Sequence, residues 1–305
     1  MKLRNKFLSI IFAGALAAST LLGCGDKATV MKDREGNEFT LPKEVNTIIS
    51  TAPSNTEVLV ELGLSDKLVA IDKYSSDVEG VSEDLPQIDF RNPDAETLVG
   101  LDPDIIIASG HNKSGSEDPF AAVKEAGIQV VYIPSSTSIE GVYEDIEFIA
   151  DITGTEKEGK KLIENMKEDI NSIKKIGDTI TDKKKVYFEI GSSSGLYSFG
   201  ANTFLNEMIE LIGATNILSN EDSWISPSPE SVVEANPDVI LTNEPTEGII
   251  ETIKARDGWA DVTAIKNNAV YSIDKNASSR PSQNIIKALK EMAKAVYPNE
   301  YENLQ

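Results

Sequence analysis

The sequence predicts an α/β protein built from two similar parallel-sheet lobes joined by a long linker helix. Three observations lead there. Short runs with an apolar centre, such as "DIIIAS" and "DVILTN", alternate with amphipathic segments, the pattern of parallel strands covered by helices on both faces. One helix-turn-strand phrase occurs twice, as "DAETLVGLDPDIIIAS" from Asp94 to Ser109 and as "SPESVVEANPDVILTN" from Ser228 to Asn243. Between the two runs of alternation, from Ser138 to about Asp178, strand signal nearly disappears. With 305 residues the chain has room for two domains of ordinary size.

The chain opens with Lys2, Arg4 and Lys6, then an apolar run from Leu8 to Leu22. The run is too short and Ala-rich to span a bilayer comfortably, and it has the charge-then-apolar form of a secretory signal. It ends in "LLGCG", where Cys24 is the only cysteine of the chain. This ending resembles a bacterial lipobox, which implies lipidation of Cys24 after loss of residues 1–23. The alternative is an ordinary secretory signal with an incidental thiol. Residues 24–45 then form the lipidated N-terminus, a tether and an opening strand pair around Glu35-Gly36-Asn37.

Residues 46–150 form the expected N-terminal lobe. "NTIIS" and "KLVAID" are strands around a helix "SNTEVLVELG", with Ser54 or Asn55 as its N-cap and Gly63 at its end. The helices "DAETLVGL" and "DPFAAVKEAG" alternate with the strands "DIIIAS" and "IQVVYIP". Residues 151–180 form the linker, a charged helix from Thr155 to Lys175 with Leu162, Ile163, Met166, Ile170 and Ile173 along one face. The alternation restarts in a C-terminal lobe over 181–305, through "KKVYFEI", "TFLNEMIELIG", "SPESVVEA", "DVILTN", "EGIIETIKA", "AVYSI" and "NIIKALKEMAKAV".

Within the repeat, Pro103 and Pro237 each fall seven residues after a glutamate, and proline ends the helix there. Asp94 and Ser228 are N-cap types. Glu96 and Glu230 therefore occupy equivalent first helical turns. Either they are helix-end charges favoured by the dipole, or each lobe presents one acidic knob to a two-sided partner.

Composition narrows the function. The formal charge is −21, from 29 basic and 50 acidic residues; loss of Lys2, Arg4 and Lys6 makes the mature chain more negative still. Such a surface repels phosphate backbones, so nucleic acid is an unsuitable partner. "GSSSG" over 191–195 fits the nucleophile-elbow pattern with Ser193 at its centre, but that triad needs a histidine after the serine, and the only histidine, His111, precedes it. A free zinc or manganese ion needs several His, Cys or carboxylate ligands, which one histidine does not supply. No catalytic residue, resident cofactor or direct metal ligand is expected.

The chain resembles the substrate-binding lipoproteins of ABC importers for iron complexes and vitamin B12, the helical-backbone class of periplasmic-type binding proteins. The resemblance rests on "DREGNEFTLP", "TAPSNTEVLVELG", the two Pro-Asp turns, the linker helix and "SIDKNASSRPSQNII", and covers essentially the whole mature chain. It implies a ligand cleft between the lobes, a monomer anchored by its lipid on the extracytoplasmic face, and an ABC permease dimer with its ATPases as partner. Glu96 and Glu230 match the family's permease-contacting glutamates. Tyr74, Phe90 and Trp224 match its ligand-enclosing aromatics, although cobalamin-binding members tend to have tryptophan where Phe90 stands. Phe90 and Trp224 each lie six residues before their lobe's glutamate, a symmetry internal to this sequence. Flat rings suit haem, a corrinoid or the shell of a ferric siderophore. His111, Tyr197, Arg91 and Arg280 complete the candidate ligand-binding set, the arginines as partners for acidic groups on a chelate. Trp259 is expected to be structural.

Overall fold

A computed structural model describes residues 29–112 and 118–304, with the side chain of His111 outside that description. Cys24 and the expected signal segment, residues 1–23, also lie outside the described residues.

The opening pair, Thr29–Lys32 and Glu38–Leu41, is an antiparallel hairpin. Asp33 organises its turn, one carboxylate oxygen accepting from the N–H groups of Glu35 and Asn37 at 3.0 and 2.8 Å. The other oxygen accepts from the N–H of Tyr132 at 3.0 Å, which pins the hairpin to the first lobe.

That lobe carries a five-stranded, all-parallel sheet. Its strand order is Gln87–Ile88, Leu68–Asp72, Ile48–Ser50, Ile105–Ser109, Gln129–Ile133. The second lobe carries a four-stranded parallel sheet, ordered Thr215–Asn216, Lys185–Glu189, Val239–Thr242, Val270–Ser272. In each lobe the chain leaves its first core strand toward one edge and returns on the other side. Each sheet therefore has an equivalent topological switch point, beside the strand that ends the repeated phrase.

The structure gives the repeat a mechanical reason. The Asp94 carboxylate caps its helix, Ala95–Gly100, through the N–H of Glu96, and the Ser228 hydroxyl caps Pro229–Ala235 through the N–H of Ser231. After each helix the Asp of the Pro-Asp turn reaches the first core strand of its lobe. Asp104 accepts from the N–H groups of Asn46 and Thr47 at 2.7 and 2.9 Å, and Asp238 accepts from the N–H of Lys185 at 2.8 Å. Their own N–H groups donate to the carbonyls of Thr47 and Lys185. Each Asp thus locks the register of two neighbouring strands where they begin. Partial burial works to raise the Asp104 carboxyl, but the two N–H donors, the Thr47 hydroxyl and nearby Lys67 outweigh it and hold it below the usual carboxylate range. A depressed pKa contributes stability above the unfolded value that is lost as pH falls through the folded one. Asp104→Ala should therefore cost about 1–2 kcal/mol at neutral pH, with the difference from wild type shrinking in acid. Urea melts at both pH values check this.

Several local expectations need correction. The first lobe helix is Pro53–Glu61 with Ala52 at its N-cap, not Ser54 or Asn55. Proline at the first helical position already has the required φ, so the helix starts earlier than the polar pair suggests. The long linker helix is Glu156–Gly177, and a second helix leads into it. Ile139–Thr153, capped by the Ser138 hydroxyl, runs across the expected boundary at residue 151, turns at Gly154, and is followed by Glu156–Gly177. The first of the pair was legible in the spacing of Ile139, Val142, Ile146 and Ile149, all buried. On the second, Met166, Ile170 and Ile173 are buried, while Leu162 and Ile163 are partly covered. Gly177 allows this helix to touch the second lobe: a Cβ there would lie 2.2 Å from the Leu211 carbonyl oxygen.

One apolar core runs unbroken from Ile48 and Ile105 in the first lobe, through Ile146, Ile149 and Met166 of the connector, to Val186, Met208 and Val296 in the second. Relative motion of the lobes would have to shear that core, so opening should be small.

Candidate ligand cleft

The carboxyl ends of the two sheets face one another. The turn after Leu68–Asp72 and the segment after Val270–Ser272 meet directly: Asn276 Nδ2 donates to Asp77 at 2.8 Å, and Arg280 donates to Glu57, Asp77 and the Tyr74 carbonyl. Crevices outside the carboxyl ends of parallel strands are where α/β sheets hold ligands.

Each lobe holds a pair of aromatic rings near the carboxyl end of its sheet. In the first lobe Tyr74 and Phe90 lie 6.0 Å apart at 55°. Tyr74 is 53% exposed and Phe90 is buried beneath it. The Tyr74 turn is built by Asp72, whose carboxylate accepts from the Tyr74 N–H at 2.8 Å and from the Ser75 hydroxyl. Asp72 is fully buried, and that burial pushes its carboxyl up against the lowering effect of those donors and of Arg280. Cations border the pair. Lys73 Nζ stands 5.3 Å from the Tyr74 ring and the Arg91 guanidinium 5.5 Å from the Phe90 ring.

In the second lobe Tyr197 and Trp224 stack, 6.5 Å apart at 16°, each 42% exposed. The sequence places Trp224 in a polar loop; it stands instead on a two-residue strand, Trp224–Ile225, paired antiparallel with Ser198–Phe199. Phe199 meets the Trp224 ring edge-on at 6.1 Å and is fully buried. Gly200 makes the ribbon possible, because a Cβ there would fall 2.2 Å from the Glu221 carbonyl oxygen. The Ile190 N–H bonds the Tyr197 carbonyl and the Tyr197 N–H bonds the Gly191 carbonyl, both at 2.8 Å, so Tyr197 is held at the carboxyl end of Lys185–Glu189. Exposed rings of this size are uncommon on a soluble surface unless something covers them.

The other candidates separate. Arg280 does not project a free guanidinium into the cleft; its donors are taken by Glu57 at 2.9 Å, Asp77 at 2.8 Å and the Tyr74 carbonyl at 3.1 Å. It joins the lobes. The His111 backbone lies in the short turn Gly110–Asn112, directly after Ile105–Ser109. Trp259 is fully buried beside Tyr187, under the Arg256 guanidinium at 4.4 Å, as expected of a structural residue. Arg256 in turn holds buried Glu189 through two bonds of 2.7 and 2.8 Å. The Gly191–Gly195 loop places Ser192, not Ser193, in a polar contact, its hydroxyl donating to Glu244 at 2.9 Å across the switch point. Thr51 and Asn112 make the equivalent bridge in the first lobe, at 2.5 Å. Ser192, Glu244, Thr51, Asn112 and Lys73 were not singled out from sequence; their one signal is position, just after a core strand. Glu96 and Glu230 are both exposed in the first turns of their helices. Among the described residues no cluster of His, Cys, Asp or Glu is arranged to hold a metal ion, and no helix is long and apolar enough to cross a membrane.

Two α/β lobes sharing a helical connector, with their sheet ends turned toward each other, define the class of two-lobed binding proteins whose closure is limited by a rigid backbone. Residues 48–277 match the periplasmic binding protein family. The ABC transporter substrate-binding lipoprotein YvrC of Bacillus subtilis is 32% identical over 94% of this chain and 96% of its own length. A cobalamin-binding protein of Halobacterium salinarum is 26% identical over 87% of this chain and 73% of its own. The crystal structure of the periplasmic haem-binding protein HutB of Vibrio cholerae superposes with a TM-score of 0.74 at 27% identity, covering 83% of this chain and all of that one. The chain belongs to the periplasmic binding protein family.

Proposed function

We propose that this protein captures a preassembled metal chelate, either an iron complex (a ferric siderophore or haem) or a cobalamin-type corrinoid, and delivers it unchanged to an ABC permease. The observation that carries the reading is a pair of aromatic platforms, exposed Tyr74 over buried Phe90 and exposed Tyr197 stacked on exposed Trp224, one at the carboxyl end of each sheet. A flat, largely apolar macrocycle buries a large area against such rings at little entropic cost. Lys73 and Arg91 beside the first pair suit an acidic periphery. The relatives named for cobalamin and haem support the ligand class.

Titration of the purified protein with haemin, a ferric siderophore and cyanocobalamin tests the reading. One of the three should bind at one per protein and be recovered chemically intact. Failure of all three to bind, or turnover of a ligand, would end it.

The same reading puts the protein at the outer face of the cell membrane, held by lipid on Cys24. One acyl chain attaches a protein only marginally, so the modified cysteine would carry more than one. Cys24→Ser should release the protein from membranes or stop its processing. A Cys24→Ser protein that is processed normally and stays with the membrane fraction would refute the anchor.

A further inference from the structure

The contact between the two sheet ends reaches into the ligand wall itself. Arg280 follows the short helix Lys275–Ser279 of the second lobe, and its guanidinium donates to Glu57, Asp77 and the Tyr74 carbonyl, all in the first lobe. Its side chain is 13% exposed and that of Glu57 5%, so their 2.9 Å pair is largely shielded from water. Glu57 also takes the Ser282 hydroxyl at 2.5 Å on its other oxygen, and its carbonyl takes Gln283 Nε2 at 3.1 Å. A buried carboxylate needs such partners. The bond from Arg280 Nη2 to the Tyr74 carbonyl is surplus to that need. It grips the main chain of the most exposed aromatic residue in the cleft from across the lobe boundary.

We propose that Arg280 is a positioning residue for the cleft: by holding the Tyr74 carbonyl from the opposite lobe, it sets where the Tyr74 ring stands and ties that placement to the spacing of the lobes. The inference rests on the reading of the aromatic pairs as the ligand wall. A planar guanidinium can serve Glu57, Asp77 and a carbonyl together because its donors fan out in a fixed plane. A lysine ammonium is a compact charge that can satisfy Glu57 but cannot span all three. Asp72 holds the Tyr74 turn from within its own lobe, through the Tyr74 N–H and the Ser75 hydroxyl. Without Arg280 the turn keeps that inner support and loses its tie to the second lobe.

The decisive variant is Arg280→Lys, because Arg280→Gln leaves Glu57 without a cation and should melt early for that reason alone. In ligand-free protein, hydrogen exchange of the Ser75 and Val78 amides, which close the turns after Asp72 and Ser75, should speed up roughly tenfold in Arg280→Lys. The Ile190 and Tyr197 amides of the second lobe should not change. In titrations with haemin and with cyanocobalamin, Arg280→Lys should weaken binding of whichever ligand the wild type takes by about tenfold. Tyr74→Ala should weaken it at least as much, and the double variant no further than Tyr74→Ala alone, since the two changes act through one ring. Losses that multiply in the double variant, or unchanged exchange at Ser75 and Val78, would overturn the proposal. If the wild type binds neither probe and no ferric siderophore, the chelate reading fails, while the exchange comparison still decides whether Arg280 holds the Tyr74 turn.

Discussion

Cells that depend on this protein for uptake should lose transport when Glu96 and Glu230 are both changed to lysine, while the purified variant still binds its ligand and melts almost normally. Both side chains are exposed in first helical turns, so their contribution to stability is the helix-dipole effect, about 0.3–1 kcal/mol each. That is a shift of a few degrees in Tm for a chain of this size. Across a docking interface the arithmetic differs. Replacing an attractive charge by a like charge costs several kcal/mol, and each 1.4 kcal/mol is about tenfold in affinity. The double lysine variant should therefore dock at least about a hundredfold more weakly, each single lysine variant should be intermediate, and alanine should be milder than lysine. Radiolabelled-ligand uptake read beside a melting curve checks it. Normal uptake by the double lysine variant would leave the two glutamates as helix-end charges, and the repeat explained by Asp104 and Asp238 alone.

The second large effect is expected at Trp224. Its ring is stacked on Tyr197, edge-on to Phe199, and exposed. A ligand that covers it gains apolar burial and ring stacking together. Trp224→Ala should weaken haemin or corrinoid binding by about 2 kcal/mol, or roughly thirtyfold, and Trp224→Phe by much less. Stability should change little, because the buried member of the cluster is Phe199. Calorimetric titration gives the affinity. Trp259, the other tryptophan, is fully buried, so Trp259→Ala should show the reverse pattern, with a large loss of stability. Unaltered affinity in Trp224→Ala would remove the second-lobe platform from the binding site.

Much of the fold could be read in the chain because its signals are local. Parallel strands buried on both faces are apolar up to their last residue, as in Ile105–Ser109 and Val239–Thr242, and proline ends a helix when it falls inside one. The two-residue strands escaped. Gln87–Ile88 and Thr215–Asn216 are too short to show any period, and they exist because a neighbouring strand offers free hydrogen-bonding groups. Trp224–Ile225 is a strand for the same reason, with Phe199 as partner and Gly200 clearing space for Glu221.

The site divides along the same line. By itself the sequence determined that one aromatic and one acidic residue recur at the same spacing in each lobe, since Phe90 with Glu96 and Trp224 with Glu230 are intervals along a chain. Which ring faces solvent was not determined there. Phe90 is buried under Tyr74, while Trp224 is exposed on Tyr197, because exposure depends on what packs from other segments. Arg280 shows the limit most plainly. As a residue type it suited an acidic ligand equally well. Only the tertiary structure brought Glu57 and Asp77, more than two hundred residues away, within 3 Å of its guanidinium. A charge is paired by the nearest opposite charge in space, and the order of residues along the chain does not record that distance.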